Sequence, residues 1–255
     1  MKPILLTIHA LEKQIDESVN IRPTWYMQEK EPEMHHIGSG IFDGDDGNYY
    51  VYSGEKRNKF NNLESAELFA KSKQNKFQRE VKEKHDELSE KYNYSDSDKA
   101  TIEKYTSDLQ DLNHKMNQGK NLTDEESDMV NKLSGILNKN KTTEPMTVWT
   151  GVSYAHHNIL KNAEEPIHHR AFISTSINPN IARGFAEKKK GHIVELEVPT
   201  GTPSAHVSHV SEHDGERELI LPRGMKIEID HSQRKVLVHD SGKFIVHKGK
   251  IVPSD

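Results

Sequence analysis

The chain has 255 residues, with 35 Lys and Arg against 40 Asp and Glu, and it contains no Cys. The formal net charge of -5 and the pI of about 6.3 exclude a protein that binds nucleic acid through bulk positive charge. Without Cys there is no disulfide, no thiol nucleophile and no cysteine-ligated zinc. No apolar stretch reaches the roughly 18 residues of a membrane span, so we expect a soluble protein.

The first 62 residues have a mixed composition that predicts short strands. The apolar run at residues 4–8 is shorter than the roughly 7–15 residues of a secretory signal and favours a first strand. The apolar pair 41–42, the Gly/Asp-rich residues 43–47 and the mostly aromatic residues 49–52 predict a β-hairpin. The acidic turn lacks the ligand spacing of a calcium loop, so an ordinary turn is favoured.

Three helices are predicted next. Residues 63–92 are very polar and carry one narrow apolar stripe. Apolar residues at spacings of three and four predict a second helix over residues 102–116. Thr123 and Glu126 form a capping box that opens a third helix, whose apolar residues share one face. Core packing is the favoured explanation of all three stripes.

After Asn140 the chain changes to short β-branched segments separated by turn signals, with one helix near residues 181–188. Helices followed by strands predict an α+β domain over residues 96–255. A small mixed α/β region with a polar helix, residues 1–95, precedes it. The predicted strands cover residues 146–149, 171–176, 192–198, 218–221, 225–229, 235–238 and 243–246.

Glu216 and Glu218 stand two residues apart at the start of a predicted strand. In an extended chain a two-residue step returns to the same face, so we expect both carboxylates in one cleft. Like charges there raise the pKa of one carboxyl group. Such a pair suits chemistry at a sugar anomeric carbon, where one carboxylate stabilises an oxocarbenium-like transition state and the other moves a proton. A solvent-facing pair of glutamates is the alternative.

Ser174, Thr175 and Ser176 place hydroxyl groups along another predicted strand. An ordinary strand rich in Ser and Thr is the alternative on residue type alone. The surrounding residues lack the Gly-x-Ser-x-Gly of a hydrolase nucleophile. The chain also contains neither a P-loop nor a Gly-x-Gly-x-x-Gly motif.

The 16 His residues do not form a predicted metal site. Three adjacent pairs are poor chelators, because neighbouring side chains face different ways, and no helical His-Glu-x-x-His is present. His206 and His209 flank a loop where they could meet a substrate. Solvated histidine is the favoured interpretation.

Three segments occur in a particular order: residues 147–152 (Thr-Val-Trp-Thr-Gly-Val), 171–176 (Ala-Phe-Ile-Ser-Thr-Ser) and 215–224 (Gly-Glu-Arg-Glu-Leu-Ile-Leu-Pro-Arg-Gly). Together they resemble the mono-ADP-ribosyltransferases of the Arg-Ser-Glu class, which includes bacterial exotoxins and phage enzymes that modify host proteins. The resemblance covers about residues 97–230, including Pro179 and Phe185 at the family's spacing.

The resemblance implies an ADP-ribosyltransferase-like split β-sheet core preceded by helices. It implies transfer of ADP-ribose from NAD to a protein side chain, with arginine as the favoured acceptor, and release of nicotinamide. NAD would be a substrate, and no metal is implied. The partner would be a target protein with an acceptor arginine, with no part for a membrane or nucleic acid. A phage or bacterial effector acting in the bacterial host cytoplasm, with no signal peptide, is the implied setting.

Residue roles follow from the same resemblance. Glu218 matches the catalytic Glu, and Glu216 the first Glu of Glu-x-Glu, which goes with arginine acceptors and would orient the guanidinium. Ser174 would orient Glu218 and touch the nicotinamide ribose, while Thr175 supports the strand. Phe185 would lie near nicotinamide. Gly151, Thr175 and Ser176 are also expected to bind NAD, and residues 206–215 would form the substrate-recognition loop.

The chain departs from the family at the first segment, where the family places an Arg before the Gly to grip the NAD phosphates. Thr150 stands there instead. Arg183 or Arg170 could supply the charge, or Thr150 could hydrogen-bond a more weakly held nucleotide. An inactive relative that only binds a nucleotide or partner is a further alternative, as is a phage structural component. An NAD glycohydrolase would use the same residues with water as acceptor, although Glu216 favours transfer.

Overall fold

The structure is a computed structural model, and its described residues form a small sheet, a long helix, a helical layer and a large sheet. The strand predicted at residues 4–8 lies outside the described residues. Within the described part of the chain, no helix is both long and apolar enough to cross a membrane. The described residues are 34–38, 41–53, 56–108, 110–152, 157–188, 192–211, 213–239 and 242–252.

The small sheet has four antiparallel strands in chain order. It confirms the predicted hairpin, in which Ile41 pairs with Val51. The Asp46 carboxylate accepts hydrogen bonds from Tyr50 Oη at 2.7 Å and Lys59 Nζ at 2.9 Å. These two bonds hold the pKa of Asp46 far below its usual range. Because they tie the Asp46 carboxylate to the neighbouring strands, the acidic segment is an ordinary turn. The strands are β1 (Met34–Gly38), β2 (Ile41–Gly44), β3 (Tyr49–Ser53) and β4 (Lys56–Phe60).

The long helix α1 (Leu63–Lys91) joins the small sheet to the main core. Its first turn is capped by the Asn62 side chain, which accepts from the Ser65 N–H at 2.8 Å. Ala66 packs against the small sheet, whereas Leu88 belongs to the main core. The helix therefore packs against both the small sheet and the main core. The domain boundary predicted at residue 95 stays a prediction.

The helical layer contains α2 (Asp96–Asp108), α3 (Gln110–Asn117) and α4 (Asp124–Lys139). The helix predicted over residues 102–116 is thus described as two elements. The predicted capping box is confirmed, because Thr123 Oγ1 accepts from the Glu126 N–H and the Glu126 carboxylate accepts from the Thr123 N–H. The apolar face of α4 is buried as predicted, which anchors this layer on the large sheet.

The large sheet has eight strands in the order β6-β11-β12-β8-β5-β7-β10-β9, with β12 and β8 parallel and the other neighbours antiparallel. The strands predicted at 225–229 and 235–238 are one long strand, because pairing with β12 resumes beyond an irregularity between Asp230 and Lys235. The strands are β5 (Met146–Val152), β6 (Ile167–His168), β7 (Ile173–Ser176), β8 (His192–Val198), β9 (Ala205–His206), β10 (Glu218–Leu221), β11 (Lys226–His239) and β12 (Gly242–Val252).

The sheet splits between β5 and β7. These strands share a single register pair, Trp149 opposite Ser176, whereas β5 pairs with β8 from Met146 to Val152. Helix α5 (His157–Asn162) lies between β5 and β6 in the chain, and helix α6 (Pro179–Lys188) lies between β7 and β8. The predicted α+β class and split sheet are confirmed, and the split leaves room for a cleft.

Candidate active site

A cleft of about 550 Å³ opens where the sheet splits. It brings together the predicted residues of the three segments and Phe185, but neither of the candidate arginines, Arg183 and Arg170. Residues from α2, α3, β5, β7, α6, β10 and the segment before β10 contribute to its walls. They are Tyr105, Thr106, Asn113, Trp149, Thr150, Gly151, Ser174, Thr175, Ser176, Ile181, Ala182, Phe185, His213, Glu216 and Glu218.

Glu218 is the first residue of β10 and lies opposite Ser176 of β7. Its side chain is only partly exposed. Burial raises the pKa of the Glu218 carboxyl to about 7, the nearby Ser174 hydroxyl opposes this, and the charge of Glu216 adds to it. The group therefore titrates near neutral pH, as expected for a carboxyl group placed for chemistry.

Glu216 reaches the cleft by a route that differs from the prediction. It ends a short 3-10 helix (Asp214–Glu216) instead of preceding Glu218 in extended chain. Arg217 has a φ of +52°, a left-handed conformation that is uncommon outside glycine. The expectation that Glu216 and Glu218 lie two residues apart in one extended strand is thus wrong, although both carboxylates line one cleft as predicted.

The three hydroxyl groups of β7 have different surroundings. Thr175 Oγ1 donates to the Leu219 carbonyl at 2.6 Å, and Ser176 Oγ donates to the Glu216 carbonyl at 2.7 Å. Both side chains are buried. Ser174 is exposed, and its nearby hydroxyl lowers the pKa of the Glu218 carboxyl. The buried hydroxyls thus hold β10 and the preceding turn, while Ser174 faces the cleft.

Tyr105 and Asn113 extend this polar contact from the helical layer. Asn113 Nδ2 donates to Tyr105 Oη at 2.7 Å, and the Tyr105 hydroxyl lines the cleft together with Ser174. Burial raises the pKa of Tyr105, and the charge of Glu218 raises it further. The Tyr105 hydroxyl can therefore donate to Ser174 and Ser174 to Glu218. Tyr105 belongs to the apolar stripe that predicted the helix over residues 102–116, so its hydroxyl was the only sign of this role.

Gly151 allows α6 to lie directly on β5. A Cβ atom at this position would stand 2.3 Å from the Ala182 carbonyl oxygen and 2.7 Å from the Ala186 nitrogen. Because both are backbone atoms of α6, they cannot move aside cheaply. This close approach carries Phe185 to the cleft, whose wall it shares with Thr150 and Trp149 of β5.

The predicted cationic residues lie away from the cleft wall. Among the described residues that line it, none is Lys or Arg. Arg183 Nη1 donates to Asn180 Oδ1 at 2.9 Å in the first turn of α6. Arg170 Nη1 lies near Gly119, 3.1 Å from where a Cβ atom there would stand. The role of Arg183 in NAD binding stays a prediction.

Two of the histidines have surroundings that the sequence did not indicate. His206 is fully buried and its Nε2 is hydrogen-bonded to His85 Nδ1 of α1 at 2.9 Å. Burial lowers the pKa of His206 to about 3. His209 Nε2 is hydrogen-bonded to the Tyr92 carbonyl at 2.9 Å. The expectation of solvated histidine is wrong for His206, whereas His209 is exposed as expected. Of the described histidines in this loop, only His213 lines the cleft.

No group of three His, Cys, Asp or Glu side chains within the described residues could hold a metal ion.

The sequence model of the ADP-ribosyltransferase exoenzyme family matches residues 66–251, which is most of the chain. The chain belongs to this family. The predicted resemblance is therefore confirmed, and the family uses NAD as its substrate.

A curated protein also matches part of this chain. The chain is 26% identical over 106 residues to NAD(+)–arginine ADP-ribosyltransferase EFV of Enterococcus faecalis. The match covers 40% of this chain and 21% of that protein. The chain therefore spans about a fifth of the length of the curated relative that it matches.

Solved structures confirm the fold. Plx2a, an ADP-ribosyltransferase toxin from Paenibacillus larvae, superposes with a TM-score of 0.55 at 19% identity, covering 70% of this chain and 96% of that chain. C3stau2 from S. aureus, solved with NAD, superposes with a TM-score of 0.56 at 18% identity, covering 69% and 95%. At these identities the likeness concerns the fold alone.

Proposed function

We propose that this chain transfers ADP-ribose from NAD to an arginine side chain of a target protein and releases nicotinamide. The observation that carries the proposal is the placement of Glu216 and Glu218 in one cleft, together with Ser174. The match to an arginine-specific relative supports the choice of acceptor. The target protein is defined only by that acceptor group.

Glu218 would act on the bond that breaks. The bond between the ribose C1′ and the nicotinamide nitrogen is cleaved, and its electron pair leaves with nicotinamide. Positive charge then develops on the ribose ring, and the ionised Glu218 carboxylate stabilises it electrostatically. Ser174, which lines the same cleft, would donate to this carboxylate and keep it oriented. The positive nicotinamide ring of bound NAD also favours the ionised form of Glu218.

Glu216 would act on the bond that forms. An arginine guanidinium is protonated at any physiological pH, so it must lose a proton as its nitrogen attacks C1′. A carboxylate both accepts that proton and grips the planar guanidinium. Glu216 lies in the cleft with Glu218 and is partly exposed, so an acceptor from another protein can reach it.

The described walls of the cleft offer contacts for the nicotinamide end of NAD but no cationic side chain for its phosphates. Phe185 and Trp149 offer aromatic surface for the nicotinamide ring, and Thr150 offers a hydroxyl group. The absence of Lys and Arg from the described lining residues favours a second candidate, a relative that binds a nucleotide or partner without turnover. Arg183, on the helix that also carries Phe185, is our candidate for the phosphate contact.

The test uses labelled NAD, the purified protein and a bacterial lysate, with nicotinamide release followed in parallel. Glu218→Gln should abolish both protein labelling and nicotinamide release. Glu216→Gln should abolish labelling but keep some nicotinamide release, because the first step needs only Glu218. Glu103→Gln, an exposed carboxylate on α2, is the matched control.

The outcomes separate the candidates. Label on protein that agmatine, a small guanidinium acceptor, competes away establishes arginine transfer. Nicotinamide release without any labelling in the presence of acceptors indicates hydrolysis instead. If the wild type does neither at saturating NAD, the transferase proposal fails and the silent binding relative replaces it.

A further inference from the structure

The backbone of Glu218 lies at an unusual position in the sheet. Its outer neighbour β9 is only two residues long, and the last register pair joins Leu219 to His206. The next pair in this ladder would be Glu218 and Val207. The Glu218 carbonyl accepts from the Val207 N–H at 3.1 Å, so half of this pair is formed.

The other half of the pair is missing. In a regular antiparallel ladder the Glu218 N–H would donate to the Val207 carbonyl. That carbonyl instead accepts from the N–H groups of Val210 and Ser211, both at 2.9 Å, because the chain turns here. Without a substitute, the Glu218 N–H would have no acceptor in the partly buried first position of β10, which is costly.

Ser208 provides the substitute. The Glu218 N–H donates to Ser208 Oγ at 2.6 Å, and Ser208 is fully buried. A side-chain hydroxyl thus replaces the backbone carbonyl that the turn removed. We propose that Ser208 is a positioning residue, which fixes the backbone of Glu218 and so holds its carboxyl group in the cleft. The proposal rests on the proposed function.

The residue before Glu218 makes such an anchor necessary. Arg217 has a φ of +52°, which costs energy for a residue with a side chain. Its carbonyl is held by the Ile177 N–H at 3.1 Å on the side of β7. Ser208 holds the following N–H on the opposite side. If that bond is lost, Arg217 can relax and turn the Glu218 side chain away from Ser174.

The segment that carries Ser208 is itself held in place by the chain before α2. Tyr94 Oη donates to the His206 carbonyl at 3.0 Å, and His209 Nε2 is hydrogen-bonded to the Tyr92 carbonyl at 2.9 Å. His85 of α1 is hydrogen-bonded to the His206 ring. These contacts on both sides of Ser208 mean that the loop cannot simply shift to satisfy Glu218 in another way.

The experiment compares Ser208→Ala with Ser204→Ala. Ser204 is equally buried in the same segment, but its Oγ is hydrogen-bonded to Tyr92 Oη at 2.6 Å. Both variants lose one buried hydroxyl, so both should lower the melting temperature by similar amounts. Only Ser208→Ala should lower kcat for nicotinamide release, by about tenfold or more, with KM for NAD nearly unchanged.

A second readout does not need turnover. NMR titration of the Glu218 carboxyl carbon should give a midpoint near 7 in the wild type, in keeping with its raised pKa. In Ser208→Ala the midpoint should move toward the ordinary value of 4.5, because the carboxyl leaves its buried place. Ser204→Ala should keep the wild-type midpoint. Ser208→Cys, which keeps only a weak acceptor, replaces the alanine variant if that one does not fold.

The two measurements distinguish a failure of the proposed function from a failure of the positioning role of Ser208. If the wild type releases no nicotinamide, the proposed function fails, and the titration alone still decides whether Ser208 positions Glu218. A titration midpoint in Ser208→Ala that equals the one in Ser204→Ala overturns the positioning role. Equal kcat values in the two variants of an active enzyme overturn it as well.

Discussion

Glu216 and Glu218 enter one cleft from two different backbone conformations, because Arg217 between them is left-handed. Glu216 belongs to a helical turn and Glu218 to a strand. The buried hydroxyl of Ser176 holds the Glu216 carbonyl from the neighbouring strand. The relative placement of the two carboxylates thus depends on one strained residue and its hydrogen-bonded neighbours.

This strain leads to a prediction for Arg217. Glycine adopts the left-handed conformation without a steric cost, whereas a β-branched residue does not. Arg217→Val should therefore be less stable than Arg217→Gly by about 1–2 kcal/mol and release nicotinamide more slowly. Both variants lose the same charge, so the comparison isolates the backbone. Urea unfolding and initial rates test this, and equal stability of the two variants would contradict it.

The pH dependence of turnover reports on Glu218. The carboxyl must be ionised to stabilise positive charge, and burial raises its pKa to about 7. We expect kcat/KM for nicotinamide release to rise with pH through a midpoint near 7, because kcat/KM reports the free enzyme. Glu216→Gln should move this midpoint to lower pH, since the charge of Glu216 raises the pKa of Glu218. A midpoint near 4.5 in the wild type would show that Glu218 is not the titrating group.

The free energy of unfolding should also depend on pH through the ionisation of Glu218. The pKa of Glu218 is raised from 4.5 when unfolded to about 7 when folded. Its contribution is therefore complete below pH 4.5 and is lost as the pH rises through about 7. Glu218→Gln removes that loss, so it should be more stable than the wild type above neutral pH by on the order of 2 kcal/mol.

Denaturant unfolding at an acidic and an alkaline pH provides the test. The advantage of Glu218→Gln should be small near pH 4.5 and largest above about 7. His206, whose pKa is lowered to about 3 by burial, destabilises the fold as the pH falls below its usual value of 6.5. That effect is common to both proteins and cancels in the difference. A pH-independent difference would refute the assignment.

Two glycines on either side of the β5–α6 contact give a matched pair. Gly151→Ala would place a Cβ atom 2.3 Å from the Ala182 carbonyl oxygen, so α6 must move. We expect a loss of at least about 2 kcal/mol and weaker NAD binding, since α6 carries Phe185. Gly184→Ala on α6 meets no atom within 4 Å and should stabilise the fold by about 0.5–1 kcal/mol. Similar melting temperatures for the two variants would contradict this packing argument.

Arg183 is the candidate for the phosphate contact. If its guanidinium meets the NAD phosphates, Arg183→Gln should raise KM for NAD by about tenfold while kcat changes little. Arg170→Gln is the matched control, because Arg170 lies near Gly119 at the end of α3. Isothermal titration with NAD and initial rates measure both. Equal affinities in the two variants would assign the phosphates to another group.

Local patterns in the sequence determined most of the secondary structure. The hairpin around Asp46, the capping box of Thr123 and Glu126, and the buried face of α4 all depend on residues close together in the chain. The order of the three segments also identified the family, because each contains residues whose chemistry and spacing are local. The resemblance to the family, carried by residue type, order and spacing, therefore singles out Glu218, Glu216 and Ser174 as candidates.

The tertiary structure alone decided what surrounds those candidates. His85 and His206 are 121 residues apart in the chain, yet their rings are hydrogen-bonded behind β10. Tyr105 reaches Ser174 from a helix whose stripe predicted only core packing. Ser208 becomes important because the Val207 carbonyl turns away from the ladder. Such contacts join residues that are far apart in the chain, so no local period or spacing in the sequence carries them.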